Sequence, residues 1–271
     1  MSVGNKLIDK LIPIPNPKPI PDPFTIQPPF MINAPNPITE PFTLPSTDAV
    51  DFTFEDINMI GWTVVDEPPQ LLGEGTSSRW IVTDGPISGK ALAQTSNIWG
   101  DKNDVVPLGT FVIYDLREWT DFVMEFDCFA ADNDGLGIVW GWKSRLNHYR
   151  FLTMIDPANP TGAPPDKRAP FSVIEKRTGD NSPYYQTLSS KREASYHQYT
   201  VTHLKLEVAN KTFKVYRDGR LSLQASDGAY QGGKVGFTLY AHAGIYFDNV
   251  KIDALIPSTL TPEQRVTGVW R

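Results

Sequence analysis

Asp132-Asn133-Asp134-Gly135-Leu136-Gly137-Ile138-Val139-Trp140-Gly141-Trp142, followed after a short polar turn by His148-Tyr149-Arg150-Phe151-Leu152-Thr153-Met154, sets an acidic turn ahead of two aromatic strands. From Ile138 the apolar residues alternate with period two. That places Ile138, Trp140 and Trp142 on one face of a strand and Val139 and Gly141 on the other. Gly135 and Gly137 are expected to let the backbone turn tightly beside the carboxylates. Asp132 and Asp134 offer hard oxygen ligands at the loop end, chemistry suited to Ca2+. The alternative is a plain polar turn leading into aromatic core strands.

The same period recurs on both sides of this stretch. Upstream, Asp121 to Phe129 alternates, with Phe122, Met124, Phe126 and Cys128 inward and Val123, Glu125 and Asp127 on the other face. Earlier strands are predicted at Phe52 to Asp56, Gly61 to Val65, Arg79 to Val82, Ala91 to Gln94 and Phe111 to Tyr114. Downstream, residues 155 to 198 read as the longest irregular region, with strands only at Phe171 to Glu175 and Tyr184 to Leu188. Tyr199 to Val208 and Thr212 to Tyr216 follow, then an Asp218-Gly219 hairpin turn into Leu221 to Leu223. Val235 to His242 and Ile245 to Ile252 close the pattern. Many short strands without a long helical period argue for an all-β, two-sheet antiparallel jelly-roll sandwich over residues 50–256.

The acidic turn, the Gly-aromatic strand and the aromatic hairpin resemble the thrombospondin C-terminal domain, within the concanavalin A-like, laminin G-like jelly-roll group. A second match lies in Gly232-Gly233-Lys234-Val235-Gly236-Phe237 and Ile245-Tyr246-Phe247-Asp248-Asn249-Val250-Lys251-Ile252. The resemblance implies fold far more than function, because this fold hosts lectins, hydrolases and adhesion modules. In several relatives a closing-strand aspartate and an early acidic residue help hold a structural calcium. By position the resemblance implies Asp248 with Glu55 or Asp56, beside the separate pair Asp132 and Asp134. The alternative for Asp248 is a hydrogen-bonding anchor between the first and last strands. Laminarinase-type glycoside hydrolases of this fold carry Glu-x-Asp-x-x-Glu on one strand. Here Glu125 and Asp127 match, but Ala130 stands in the third place. The acid and nucleophile scheme therefore lacks a member, and no catalytic residue is assigned.

The 271 residues carry a net charge of −6, a pI near 5.2 and 40% hydrophobic residues. That supports a real core and argues against a phosphate-tracking nucleic-acid partner. Cys128 is the one cysteine, so no internal disulfide forms, and its register makes it a buried core thiol. The basic pairs Lys167-Arg168, Lys176-Arg177 and Lys191-Arg192 are expected to solvate loops. No apolar run has signal-peptide or membrane-span length. The expectation is a protein made in the cytoplasm, without membrane insertion, that ends in a virion or other extracellular particle.

Residues 1–49 differ in kind. Twelve of the 24 prolines fall there, interspersed with apolar residues that include Ile12, Ile14, Ile20, Phe24, Phe30 and Phe42. Proline removes backbone donors and favours an extended strap of about 3.1 Å per residue. An extended chain bearing apolar knobs suits docking along another protein surface at low entropy cost. Residues 257–271 read as a polar tail.

Sugars stack their apolar faces on aromatic rings with polar groups nearby. The glycan candidates are Tyr240, His242, Trp140, Trp142 and Tyr149, together with Trp99. Tyr240 and His242 are out of phase with Phe237, Leu239 and Ala241 and are expected at the surface. Trp140 and Trp142 follow the inward register of Ile138, so core is their alternative. The functional expectation is a non-enzymatic structural or adhesive protein of a larger assembly, of decoration or fibre type. Its arm is the anchor and its sandwich is lectin-like. A stand-alone calcium-dependent carbohydrate-binding module is the alternative, and a glycoside hydrolase the remoter one.

Overall fold

Fifteen strands and no helix occur among the described residues, which in this computed structural model are 49–68, 77–98, 107–156 and 168–255. In chain order they are β1 (Val50–Phe52), β2 (Trp62–Asp66), β3 (Trp80–Asp84), β4 (Lys90–Gln94) and β5 (Thr110–Trp119). Next come β6 (Phe122–Ala130), β7 (Gly135–Ser144), β8 (Asn147–Met154), β9 (Phe171–Arg177) and β10 (Tyr185–Lys191). The last are β11 (Val201–Ala209), β12 (Thr212–Arg217), β13 (Arg220–Ser226), β14 (Gly233–Tyr240) and β15 (Ile245–Ala254).

They form two antiparallel sheets. The first runs β13-β12-β11-β6-β15-β4-β3, with β1 also paired to β15. The second runs β10-β9-β8-β7-β14-β5-β2. This is a concanavalin A-like jelly-roll sandwich. The strands adjacent in space but distant in sequence, such as β6 with β15 and β5 with β14, close it. The arm residues, Ile12 to Phe42 among them, and residues 257–271 lie outside the described residues, as does Trp99.

The core follows the alternation. Phe122, Met124, Phe126 and Cys128 of β6 meet Leu136, Ile138 and Trp140 of β7 and Phe237 of β14 between the sheets. Phe237 stacks on Phe247 at a centroid distance of 4.0 Å, and Phe126 meets both rings edge-on. Cys128 is a free, buried thiol, and burial pushes its pKa up. The Asp218-Gly219 turn joins β12 to β13 with φ of 50° and 75°, the left-handed pair that a tight hairpin needs.

Three local expectations are corrected. The first strand is Val50–Phe52 rather than Phe52 to Asp56, because Phe54 is left-handed (φ 57°) and turns the chain. Gly135 and Gly137 are in β7 rather than in the turn. Gly137 allows close approach, since a Cβ there would overlap the Phe151 carbonyl oxygen. Trp140 and Trp142 do not share a face. Gly141 has φ 58°, and the β7–β8 register slips between Trp140 and Ser144. Against β14, where Lys234 faces Trp142 and Gly236 faces Val139, β7 carries one extra residue, which turns Trp142 over. Trp140 stays between the sheets, whereas Trp142 packs with Phe111, Ile113 and Val139 on the outer face of the second sheet.

Candidate functional site

The outer face of the second sheet carries the densest polar chemistry. Arg150 on β8 donates from Nε to Glu175 Oε1 of β9 (2.6 Å) and from Nη1 to the Pro107 carbonyl (2.8 Å). Its guanidinium lies 3.7 Å from the Tyr185 ring centre. Arg177, at the end of β9, donates to Glu67 (2.8 Å) and Asp180 (3.1 Å), and Arg145 binds the same two carboxylates. His148 stacks on Trp142 at 4.8 Å. Its Nδ1–H faces the Ser144 carbonyl (3.2 Å), so Nε2 accepts from Tyr185 OH (3.0 Å). Burial holds His148 well below the usual imidazole range, which fits this neutral tautomer.

Arg150, Arg177, Glu67, Glu175 and His148 are all at most 1% exposed. Among the described residues three arginines meet three carboxylates, so these charges balance one another. The role of the network is to clamp the 107–109 and 178–185 segments onto the sheet. The basic pair Lys176-Arg177 therefore does not solvate a loop: it lies in β9, with Arg177 in this network and Lys176 paired to Asp227 at 2.7 Å. Sequence gave no sign of it, because its members are spread from Glu67 to Tyr185 and only sheet pairing brings them together.

The predicted glycan residues scatter. Trp140 and Tyr149 are in the core, stacked on each other at 5.8 Å. Trp142 is under the polar network. His242 is not at the surface: it is fully buried, near Tyr196. The reason is Ala241, whose φ of 54° ends β14 and breaks the alternation that would have carried His242 outward. Neither ring nitrogen of His242 finds a hydrogen-bond partner among the described residues, and burial drops its pKa to about 3. Tyr240 is half-buried beside Leu152, Met154, Phe171 and Val173.

The acidic candidates form two separate places. Asp132 and Asp134 sit in the turn between β6 and β7. There Asp132 Oδ1 accepts from Asn133 N (2.9 Å), and Tyr196 OH donates to the Asp134 carbonyl (2.6 Å). Burial, with the charges of Asp132 and Asp156 nearby, raises the Asp134 carboxyl to about 7. Asp248 and Glu55 instead hold the β3–β4 turn. Ser88 Oγ donates to Asp248 (2.6 Å), as does Asn249 N (2.7 Å), and Lys90 N donates to Glu55 (2.9 Å). Asp248 thus ties the β3–β4 turn to β15, where the expected anchor was between the first and last strands. Among the described residues no three His, Cys, Asp or Glu side chains group around a point that could hold a metal ion.

Glu125 and Asp127 share the outer face of the first sheet. His203 Nδ1 donates to Asp127 Oδ1 (2.9 Å), and Asn249 Nδ2 donates to Oδ2 (2.9 Å), so both Asp127 oxygens are engaged. Ala130 faces the core, 1% exposed, where a third carboxylate would be buried.

Among the described residues a cavity lies at the end of the sandwich where β6 begins. It encloses about 170 Å³ and is lined by the β5–β6 turn (Trp119 to Phe122), the β7 bulge, the β11–β12 turn (Asn210, Lys211) and the β13–β14 loop (Asp227 to Gly232). Trp119, Phe122, Trp140, Phe213 and Tyr230 make its apolar wall. The indole N–H groups of Trp119 and Trp140 have no acceptor among the described residues. Asp121, Asn210, Lys211, Asp227 and Gln231 supply acceptors and donors. Asp227 accepts from Tyr149 OH and from Lys176 (2.7 Å). Burial alone would raise its carboxyl, but those two partners outweigh it and hold the group below its usual range. Of the predicted glycan residues, only Trp140 lines this cavity, with Tyr149 just behind it.

No family model and no curated protein matches the chain. Solved structures do. A glycoside hydrolase family 16 endo-glucanase from Bacteroides ovatus is 8% identical and covers 76% of this chain and 99% of its own, with a TM-score of 0.51. A carbohydrate-binding module, CBM66, from Bacillus subtilis is 19% identical and covers 72% of this chain and 96% of its own, with a TM-score of 0.48. These are likenesses of fold.

Proposed function

We propose that this protein is a non-catalytic, lectin-like carbohydrate-binding sandwich, and that the end cavity is its sugar site. The observation that carries the reading is the cavity's chemistry. Aromatic walls suit the C–H faces of a sugar ring, and donors and acceptors at its edge suit the hydroxyls. The polar network occupies the Arg150–Glu175 part of the outer face of the second sheet, where binding would have to displace buried ion pairs. On the first sheet, the engaged Asp127 and the apolar Ala130 speak against glycoside hydrolysis by paired carboxylates.

We infer as well that the arm, residues 1–49, anchors the protein in a larger assembly. Its proline-spaced apolar residues suit an anchor in a larger assembly, such as a virion or phage-like particle, that displays the sandwich. Calcium has no part in sugar recognition in this account. Nine residues of β6 separate the cavity from Asp132 and Asp134, a span of roughly 25–30 Å. Any calcium at those two carboxylates would brace the opposite end.

A glycan array probed with the full chain, with and without chelator, tests the function. Binding that survives chelator and falls in Lys211→Ala and Gln231→Ala is the expected result. Silence across a broad array overturns it.

A further inference from the structure

Resting on that reading, we infer that the cavity takes a single neutral sugar ring at a chain end, and not a stretch of polymer. Its floor is sealed: Trp119, Phe122, Trp140 and Phe213 are core residues. Its surrounding loops are stitched together. Asn210 N donates to Asp121 Oδ1 (3.0 Å), and Asp227 N donates to the Lys211 carbonyl (3.1 Å). Gly232 lies so close to Thr120 that a Cβ there would stand 3.0 Å from its Oγ1. A closed floor and joined loops suit a pocket that takes one ring better than a groove that a polymer would follow. The volume of about 170 Å³ is below the range of roughly 300–1,000 Å³ that encloses drug-sized ligands. That is room for one ring.

Charge selects further. Asp121 and Asp227 are balanced by Lys211 in the lining and by Lys176 behind Asp227. A uronate or sulfated sugar would meet no surplus positive charge. A neutral ring with adjacent hydroxyls can use the Asp121 carboxylate as acceptor and the amide and ammonium groups as donors.

The test titrates the full chain with glucose, galactose, mannose, fructose and N-acetylglucosamine, with linear oligomers of each up to six units, and with a cyclic glucan that has no end. The indole N–H signals of Trp119 and Trp140 are followed by NMR. At least one monosaccharide is expected to shift both signals and to bind within about threefold of its own hexamer. Gln231→Trp, which fills the mouth, is expected to weaken that binding by about tenfold or more with the circular dichroism unchanged. Affinity that climbs about tenfold or more from monomer to hexamer, or binding of the cyclic glucan as tight as the linear one, overturns end recognition and leaves sugar binding standing. If no sugar of the panel binds, both readings fall.

Discussion

Asp134 and His242 pull the acid stability of the sandwich in opposite directions. The Asp134 carboxyl rises to about 7 in the fold from its ordinary value of 3.8. Between those values the native state holds the extra proton, so stability is lost as pH rises and the penalty is complete above 7. His242 falls to about 3 from 6.5. Between those values the unfolded state holds the extra proton, so stability is lost as pH falls. Asp134→Asn should stabilise the protein at pH 8 by about 1–2 kcal/mol, after allowing for solvent at this half-buried turn, and do nothing at pH 3.5. His242→Phe should flatten the loss between pH 6 and 4. Thermal melts across pH 3.5–8 check both. His242 is also a residue that the sequence reading placed on the wrong side. One left-handed residue, Ala241, reversed the facing of His242, and a bulge at Gly141 did the same to Trp142. Period-two reasoning has no means of seeing a positive φ at alanine. The bulge glycine was at least present to be suspected.

At the scale of the element, the regular strands were legible because burial enforces alternation. β6 keeps the predicted inward residues, and the β12–β13 hairpin forms at its Asp-Gly signal. The polar face of the second sheet was not legible, since Arg150, Glu175, Arg177 and Glu67 look in sequence like ordinary surface charges. Their burial makes them costly to break singly. Glu175→Gln would leave Arg150 buried against a neutral partner and should cost about 3–5 kcal/mol, read as a lower denaturant midpoint. The Gly141 bulge is tied to the cavity, because a Cβ there would meet Tyr149 at 3.2 Å and Tyr230 at 3.4 Å. Gly141→Ala should cost about 1–2 kcal/mol for its left-handed backbone and weaken sugar binding as well. Equilibrium unfolding and a glycan titration of the same variant separate the two effects.

At the scale of the whole molecule, sugar binding is assigned to the sandwich and anchoring to the arm. The described strands pair only with one another, from β1 to β15. Removing residues 1–48 should leave the melting temperature and sugar binding close to those of the full chain and abolish incorporation into any particle that contains it. Where a sugar would sit was hidden from sequence: the cavity draws on three separate connections and the β7 bulge, from Trp119 to Gly232, and only Trp140 among its lining residues was a glycan candidate. The most direct measurement is a crystal structure of the protein soaked with whichever neutral monosaccharide gives the strongest titration. The account predicts density for one ring inside the end cavity, against Trp119, Trp140 and Tyr230. Density on the outer face of either sheet, with the cavity unfilled, would contradict it.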